Sequence, residues 1–290
     1  MTRTVLALDV GGTKLAAAVV DDDGRVLAQA SRPTPADAPG DVLLGTLLEA
    51  AAAVRTGDEV AVGVGSGGPM TAGGEAVSPL NIPGWRDFPL RSRLATELAL
   101  PVWVDNDAKA LALGEGWKGA AVGERDYIAM VVSTGVGGGI VLDGRLLDGA
   151  DGNAGHIGHV IVEPEGRTCP CGAQGCLEAE VSGTAIAART GRPAAEADEA
   201  ERERTGRLVG RAVASAAALL DLRLAVVAGS VALGFGATFF DAAQAELERS
   251  ARIAFARGVR IAPAGLGAEG PLVGAAAVAW RALGVAIGVE

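Results

Sequence analysis

The sequence is poor in histidine, cysteine and aromatic residues. Two of its 290 residues are histidine, three are cysteine and 3% are aromatic, although hydrophobic residues reach 49% and supply enough material for a buried core. No apolar run is long enough for a membrane helix, which needs roughly 18 residues or more, and the N-terminal stretch lacks a separate signal-peptide core. These absences predict a cytoplasmic protein with no membrane partner.

An excess of basic residues is also missing. The formal net charge is −10, whereas affinity for nucleic acid depends on a basic surface. We therefore expect no nucleic-acid partner, and we expect substrates to be attracted by local fields rather than by the charge of the whole molecule.

The pattern of apolar segments predicts an α/β fold, because strand-like runs alternate with helix-like ones. The length suggests about two domains. Two stretches, at 4–30 and 128–148, share an order of apolar run, glycine cluster, apolar run and polar turn. They predict that each domain begins with a related β-hairpin, the alternative being that unrelated glycine hairpins look alike. Helices are predicted over 41–56, 205–220, 238–256 and 273–284, and a surface helix or loop over 190–204.

A glycine pair follows the first predicted strand in the stretch DVGGTK. Gly11 and Gly12 allow the backbone to approach an anion, while Thr13 and Lys14 add a hydroxyl donor and a positive charge. The spacing is not that of a P-loop. Asp9 is a candidate partner of a magnesium ion, which touches few carboxylates and keeps several waters. A structural hairpin turn and a turn-capping aspartate are the alternative interpretations.

A second glycine cluster begins the other predicted domain in the stretch STGVGGG. Thr134, Gly135, Gly137 and Gly138 are candidate phosphate-binding residues, and Gly229 after a later strand is a weaker one. Either glycine stretch alone could be a structural turn. Two such stretches, one at the start of each domain, favour a bound nucleotide.

Asn106 and Asp107 lie where a predicted strand passes into an alanine-rich helix. One of them is expected to cap the helix, because Asn and Asp are preferred N-cap residues. Asp107 could instead accept the proton of an attacking hydroxyl. Phosphoryl transfer depends more on positioning than on proton abstraction, so a weak base is sufficient. The residues alone leave capping and catalysis open for Asp107.

All histidines and cysteines of the chain lie within residues 156–176. His159, Cys169, Cys171 and Cys176 form the ligand set of a closed structural zinc site, and free thiols in an apolar pocket are the alternative. A closed site has no open position for a substrate, so the metal is expected to organise its loop and not to react. His156 and Glu178 flank this loop and could be presented to a ligand from a rigid frame.

These motifs together resemble the ROK family of sugar kinases over nearly the whole chain. The segments that carry the resemblance follow the family's order: LDVGGTK, LNIPGW, DNDA, STGVGGGIV, GHIGH, CPCGAQGCLEA and SGTAIA. The resemblance implies a two-lobed, actin-like ATPase fold of the ribonuclease H type, in which each lobe is a mixed sheet flanked by helices. It also implies ATP with magnesium in the cleft and a sugar facing the γ-phosphate.

The resemblance also implies roles for individual residues. Asp107 becomes the catalytic aspartate, and His159 would hold zinc with one ring nitrogen and a sugar hydroxyl with the other. The implied sugar-contacting residues are Asn81, Asn106, Asp107, His156, His159 and Glu178. The implied domains are residues 1–106 completed by a C-terminal helix at 274–290, and residues 107–273 with the zinc loop at 156–178. Members of the family are commonly homodimers or homotetramers.

His156 bears on the choice of sugar. Glucokinases of the family usually carry Glu at this position, whereas the G-H-x-G-H form resembles the branch that phosphorylates the 6-hydroxyl of N-acetylmannosamine. A carboxylate only accepts hydrogen bonds, but imidazole can donate one to an acetamido carbonyl. A glucokinase or broad hexose kinase with a neutral histidine exchange is the alternative. A family repressor is disfavoured by the acidic charge and the early phosphate motif, and a catalytically dead sugar-binding module by the intact Asp107 and glycine stretches.

Overall fold

The computed structural model describes residues 3–35 and 37–290, which form two compact units. The first unit contains the residues up to Val122 together with Leu146–Ala154 and Leu266–Glu290. The second unit contains Gly123–Arg145 and Gly155–Gly265. Both units are therefore discontinuous in sequence. No helix in the described ranges is long and apolar enough to cross a membrane.

Ten strands and nine α-helices are numbered in chain order within the described residues. The strands are β1 (Thr4–Val10), β2 (Lys14–Asp21), β3 (Val26–Pro33), β4 (Glu59–Ser66), β5 (Val102–Asn106), β6 (Tyr127–Val132), β7 (Val136–Leu142), β8 (Arg145–Leu146), β9 (Leu224–Ala228) and β10 (Arg260–Pro263). The helices are α1 (Gly40–Ala52), α2 (Leu90–Leu98), α3 (Asp107–Lys118), α4 (Leu177–Val181), α5 (Gly183–Thr190), α6 (Glu199–Leu220), α7 (Ser230–Phe235), α8 (Ala237–Ser250) and α9 (Gly270–Ala282).

The first unit is built on a five-stranded mixed sheet in the order β3-β2-β1-β4-β5. Strand β1 pairs antiparallel with β2 and parallel with β4, and β4 pairs parallel with β5. Large apolar side chains of β1, such as Leu6 and Leu8, pack with leucines of α1 in one core cluster. Because alternate residues of a strand point to opposite faces, the residues between them face the other layer.

Helices α3 and α9 pack against each other and against β4 in this first unit. Their close approach depends on small residues: a Cβ on Gly63 of β4 would lie 2.0 Å from the carbonyl oxygen of Ala275 in α9. Likewise, a Cβ on Gly114 of α3 would lie 3.0 Å from the backbone of Gly274. The unit division therefore places α3 with the first unit, later than the predicted boundary at residue 106, because α3 shares a packed interface with α9 and β4.

The second unit contains a sheet in the order β10-β9-β6-β7-β8, and helices α6 and α8 pack against each other. Strand β6 pairs antiparallel with β7 and parallel with β9, which pairs parallel with β10. Glycine again permits a close helix contact, since a Cβ on Gly210 of α6 would lie 2.2 Å from the carbonyl oxygen of Ala243 in α8.

The two sheets have the same topology. The order β3-β2-β1-β4-β5 corresponds to β8-β7-β6-β9-β10. In each sheet, the antiparallel hairpin (β1–β2 or β6–β7) lies beside a parallel strand (β4 or β9) that follows a helical segment. The predicted α/β fold with two mixed sheets flanked by helices is confirmed, as are the paired hairpins β1–β2 and β6–β7. Some boundaries differ: the helix predicted from 205 begins at Glu199, where Asp198 caps it, and the helix predicted to 256 ends at Ser250.

Candidate active site and metal centre

In the first unit, three parallel strands bring polar residues to one edge of the sheet. Asp9 of β1 pairs with Gly65 of β4, and Gly65 pairs with Asp105 of β5. Asn106 ends β5 and Asp107 begins α3. The carboxyl ends of neighbouring parallel strands meet at the same edge of a sheet, which is where open α/β sheets bind ligands. The fold thus brings the predicted residues Asp9, Asn106 and Asp107 together.

Asp9 has an unfavourable environment for a negative charge. Burial, followed by the negative charge of Asp107, raises the pKa of Asp9, and the positive charge of Lys14 lowers it; the resulting pKa is about 7. Lys14 compensates the two interacting carboxylates only in part, because the pKa of Asp9 stays raised, and a divalent cation would supply the remaining positive charge. The edge therefore fits a magnesium ion bound through few carboxylates.

The predicted phosphate-binding turn lies between β1 and β2. The backbone N–H of Gly11 donates to the carbonyl oxygen of Lys14 at 3.1 Å, and the hydroxyl of Thr34 donates to the carbonyl oxygen of Gly11 at 2.6 Å. A Cβ on Gly12 would lie 3.0 Å from the Cβ of Asn81. The structure thus places the predicted sugar-contacting residue Asn81 directly beside this turn, with little space for a side chain at position 12.

Asn106 and Asp107 form the N-terminus of α3. The side-chain oxygen of Asn106 accepts a hydrogen bond from the backbone N–H of Ala108 at 3.0 Å, so Asn106 is the N-cap. Oδ1 of Asp107 accepts from the same N–H at 2.8 Å. The structure therefore shows which of the two residues caps the helix: Asn106 is the N-cap, and Asp107 is the first residue of α3.

Lys109 forms an ion-pair cluster that the sequence analysis did not predict. Its Nζ atom lies 3.1 Å from Oδ1 of Asp105 and 2.7 Å from Oδ1 of Asp148, and it donates to the carbonyl oxygen of Gly152 at 3.3 Å. Only 3% of the Lys109 side chain is exposed. The sequence could have indicated the ion pair between Asp105 and Lys109, because these residues are four apart. It could not have indicated Asp148, which reaches Lys109 only in the folded unit.

In the second unit, the turn between β6 and β7 is shorter than the glycine motif. Thr134 and Gly135 lie in the turn, whereas Gly137 and Gly138 belong to β7 and pair with Val131 and Met130 of β6. The glycine at 138 has a packing reason, because a Cβ there would lie 2.9 Å from the carbonyl oxygen of Gly155.

Two further predicted residues lie close to this turn. Oε2 of Glu178 accepts a hydrogen bond from the backbone N–H of Val136 at 2.9 Å. Gly229 follows β9 with φ of +100°, and a Cβ there would lie 2.3 Å from the carbonyl oxygen of Val132 at the end of β6. The hydroxyls of Ser133 and Ser230, which the sequence analysis missed, are hydrogen-bonded at 2.9 Å.

The two histidines lie on a short segment that packs against β7. A Cβ on Gly158 between them would lie 2.3 Å from the carbonyl oxygen of Val136, so this close packing on the strand depends on glycine. The rings of His156 and His159 are nearly parallel, with an interplanar angle of 14° and centroids 6.2 Å apart. His156 is exposed and His159 half-buried. Both predicted sugar-contacting imidazoles thus lie on one segment, which packs against β7 just after the turn at 134–135.

The predicted metal ligands His159, Cys169, Cys171 and Cys176 converge. Their ligand atoms all lie within 4.8 Å of one another. Sγ of Cys171 is 3.7 Å from Sγ of Cys176, and Sγ of Cys169 is 3.7 Å from Nδ1 of His159. A tetrahedral zinc ion with ordinary bond lengths would have S–S edges of about 3.8 Å and S–N edges of about 3.6 Å. The arrangement therefore fits zinc, with Nδ1 as the histidine ligand atom.

Two of the three thiols of this cluster are in surroundings that oppose ionisation, which a bound cation would favour. Burial raises the pKa of Cys169 and raises the pKa of Cys176 to about 12, whereas hydrogen bonds from the backbone of Ala173 and from neighbouring thiols lower the pKa of Cys171. A metal ion that binds thiolates displaces these protons. Three sulfurs and one imidazole within bonding distance of a common centre are the donor set of structural zinc sites.

Comparison with known proteins defines the class of the chain. A glucokinase structure from Streptomyces griseus, solved with glucose and AMPPNP, has 31% identity and a TM-score of 0.82, covering 94% of this chain and 98% of that chain. An N-acetylmannosamine kinase of Citrobacter koseri is 40% identical over 249 residues, covering 80% of this chain and 85% of the relative. A glucokinase of Thermotoga maritima is 40% identical over 185 residues, covering 63% of this chain and 58% of the relative. This chain has the fold and sequence of a sugar kinase.

The family follows from a match along most of the chain. The model of the ROK family matches residues 5–282, and the chain belongs to that family. The resemblance inferred from the motifs is confirmed by this match.

Proposed function

We propose that this ROK-family kinase transfers the γ-phosphoryl group of ATP to the 6-hydroxyl of N-acetylmannosamine. Support comes from the 40% identity to the Citrobacter koseri N-acetylmannosamine kinase over most of both chains. His156 carries the choice of sugar, because it is exposed on the segment that holds His159 and can donate a hydrogen bond to an acetamido carbonyl. A carboxylate at this position cannot donate to that carbonyl, and the mismatch would cost about 1–3 kcal/mol once the bound sugar excludes water.

Asp107 is proposed as the catalytic residue. Its carboxylate orients the 6-hydroxyl and accepts its proton as the sugar oxygen bonds to the γ-phosphorus. The bond from that phosphorus to the β–γ bridging oxygen breaks, and ADP leaves. Asn106 caps α3 and so fixes the helix start that carries Asp107. Fixed positioning of this kind supplies most of the catalysis in phosphoryl transfer.

The nucleotide is assigned to the two turns. Backbone N–H groups at Gly12 and Gly135, with the hydroxyls of Thr13 and Thr134 and the charge of Lys14, are suited to phosphate oxygens, while Gly11 closes the first turn through its N–H bond to Lys14. Gly137, Gly138 and Gly229 support the second turn through backbone packing. Asp9 would hold magnesium, which neutralises charge on the transferring phosphoryl group when bound.

Zinc is proposed as the ion of the four-ligand cluster, with a structural role. Nδ1 of His159 faces the cluster, so Nε2 is the nitrogen that a sugar hydroxyl would meet. Binding one ring nitrogen fixes the orientation of the other. Asn81, beside Gly12, and Glu178, beside Val136, complete the proposed sugar contacts with the two histidines, Asn106 and Asp107.

The substrate is tested by comparing kcat/KM for N-acetylmannosamine and glucose in a coupled assay of ATP consumption. We expect a preference for N-acetylmannosamine of about tenfold or more, and we expect His156→Glu to reverse or abolish it. A glucokinase is the second candidate, since the Thermotoga maritima and Streptomyces griseus relatives bear that name. A wild-type preference for glucose would overturn the choice of sugar while leaving the kinase assignment intact.

Asp107→Asn should preserve sugar binding and lower turnover by about 100-fold or more, because asparagine retains the shape but cannot accept the proton. Sugar affinity would be measured by calorimetry and turnover by the coupled assay. Asp58→Asn, an exposed charge change in the same unit, serves as control. Turnover within a fewfold of wild type would remove Asp107 from the catalytic role.

A further inference from the structure

Glu178 makes a contact that a purely sugar-binding residue would not require. Its Oε2 atom accepts the backbone N–H of Val136 at 2.9 Å, at the point where the turn between β6 and β7 enters β7. The adjacent Gly135 packs against the same oxygen, since a Cβ at residue 135 would lie 2.9 Å from Oε2. One carboxylate oxygen is therefore committed to the turn, and Oε1 is the oxygen that can face a ligand.

The segment that carries Glu178 holds the turn at two more points. The backbone N–H of Gly183 donates to the carbonyl oxygen of Ser133 at 2.7 Å, and the hydroxyl of Thr184 donates to the carbonyl oxygen of Thr134 at 3.0 Å. The turn itself is narrow, with the N–H of Ser133 bonded to the carbonyl oxygen of Gly135 at 2.9 Å. Helices α4 and α5 thus set the position of this turn through three separate hydrogen bonds.

The same segment is anchored to the metal cluster and to the histidine segment. Cys176, a buried member of the cluster, is the N-cap of α4, and Glu178 is the second residue of that helix. The backbone N–H of Leu177 donates to the carbonyl oxygen of Val160, directly after His159, at 2.9 Å. The cysteine cluster therefore restrains Glu178 through Cys176, and a displacement of Glu178 would move the turn through the hydrogen bond to Val136.

We infer that Glu178 is a positioning residue that couples sugar binding to nucleotide binding, with Oε1 meeting the sugar and Oε2 holding the turn at Thr134–Gly135. The inference rests on the proposed function. A sugar hydroxyl bound to Oε1 fixes the carboxylate rotamer, and the fixed carboxylate keeps the Val136 N–H and its turn in one arrangement. Sugar binding then strengthens nucleotide binding, and by linkage the nucleotide strengthens sugar binding by the same factor.

The test is the affinity of the full zinc-loaded protein for AMPPNP with magnesium, measured by calorimetry with and without saturating N-acetylmannosamine. We expect the sugar to tighten wild-type nucleotide binding by about fivefold or more. Glu178→Ala should weaken nucleotide binding about fivefold in the absence of sugar and reduce the sugar effect to near unity. Glu178→Gln keeps an acceptor for the Val136 N–H, so its sugar-free nucleotide affinity should remain close to that of wild type.

Gly135→Ala offers a second, independent perturbation, because the new methyl group would press on Oε2. It should weaken nucleotide binding more in the wild-type background than when Glu178 is already alanine. Glu165→Ala, which removes an exposed carboxylate from the loop that carries the cysteines, is the matched control. Melting curves of all variants separate a loss of coupling from a loss of folding.

Three results would decide the matter. Glu178→Ala with wild-type nucleotide affinity and an unchanged sugar effect would overturn the inference alone, leaving Glu178 a sugar ligand. Equal and additive losses from Gly135→Ala in both backgrounds would also overturn it. Wild-type protein that binds no nucleotide at all would overturn the proposed function, and the inference with it.

Discussion

At the scale of single residues, Asp9 is a buried carboxyl group that ionises with difficulty, and it lies at the edge of the sheet where we propose that magnesium binds. Its pKa of about 7 means that the folded protein keeps this proton at pH values where an unfolded aspartate has lost it. Folding stability must then decrease as the pH rises from about 4 to about 7, and the loss persists above that range.

Asp9→Asn should remove this pH-dependent loss. We expect the variant to be more stable than wild type at pH 8 by about 2–4 kcal/mol and nearly equal to it at pH 4, because an amide cannot acquire the charge. Urea unfolding at several pH values in magnesium-free buffer would measure the difference. Asp23→Asn, at an exposed turn, is the control. If the free energy of unfolding of wild type and Asp9→Asn changed with pH in the same way, the prediction would be contradicted. The variant should also lose catalytic activity.

Residues whose role depends on neighbours in sequence were predictable, and residues whose partners are distant were not. The helix start at Asn106 and the grouping of the cysteines were predictable because cap and ligand signals are local, whereas the catalytic role of Asp107 stays a prediction. Lys109 was not recognised, since its burial depends on Asp148, which reaches it only in the folded unit. Glu178 was recognised as a sugar-contact candidate, but its bond to Val136 depends on the packing of α4 beside β7.

At the scale of elements, the loop that carries the proposed metal ligands has only a small apolar core. Its buried cluster consists of Cys169, Cys176 and Ala179 with Ala173 packed against it. Such a small cluster buries little apolar surface, so we expect bonds to the proposed zinc ion to supply most of the local order.

Cys171→Ser should therefore lower both the melting temperature, by about 5–10 °C, and the affinity for sugar, because His159 loses its fixed orientation. Differential scanning calorimetry, calorimetric sugar titration and elemental analysis of zinc would report on the three consequences. Thr168→Ala changes an exposed side chain in the same loop and should leave all three unchanged. A Cys171→Ser protein that melts and binds sugar like wild type would exclude the structural role.

The hairpins and the alternation of strands and helices could be predicted because they follow from period and turn residues within short windows. Helix α2 was missed, since Leu90, Leu94 and Leu98 are its buried residues within an otherwise polar stretch. Helix α6 begins earlier than predicted because Asp198 caps it, and the polar composition of its first turns concealed that start. The apolar period is thus weak at both places: α2 has three buried leucines in a polar stretch, and the start of α6 is marked by a single capping residue.

At the scale of the whole molecule, the first unit is assembled from three stretches of sequence. Helix α9 packs on β4 and β1, and Gly63 lets its backbone approach to a distance that no side chain permits. The interface between the earliest strands and the last helix is therefore a determinant of the unit's stability.

Gly63→Ala should destabilise the protein by about 2–3 kcal/mol, because the added methyl group would overlap the backbone of Ala275. Gly45→Ala is the matched control: it lies in α1 with nothing within 4 Å of an added Cβ, and should stabilise the protein by about 0.5–1 kcal/mol. Urea unfolding measures both. Equal effects of the two substitutions would show that the predicted overlap is relieved without cost.

This interleaving has a consequence during protein synthesis. Strands β1 to β5 are translated before any part of the second unit. Helix α9 covers one face of their sheet but is translated only after the second unit is complete. At ordinary translation speeds of roughly 5–20 residues per second, that face waits on the order of 10 s for its cover. The nascent chain therefore leaves the ribosome with one apolar face of this sheet uncovered. We expect chaperones to bind that face until α9 has been translated.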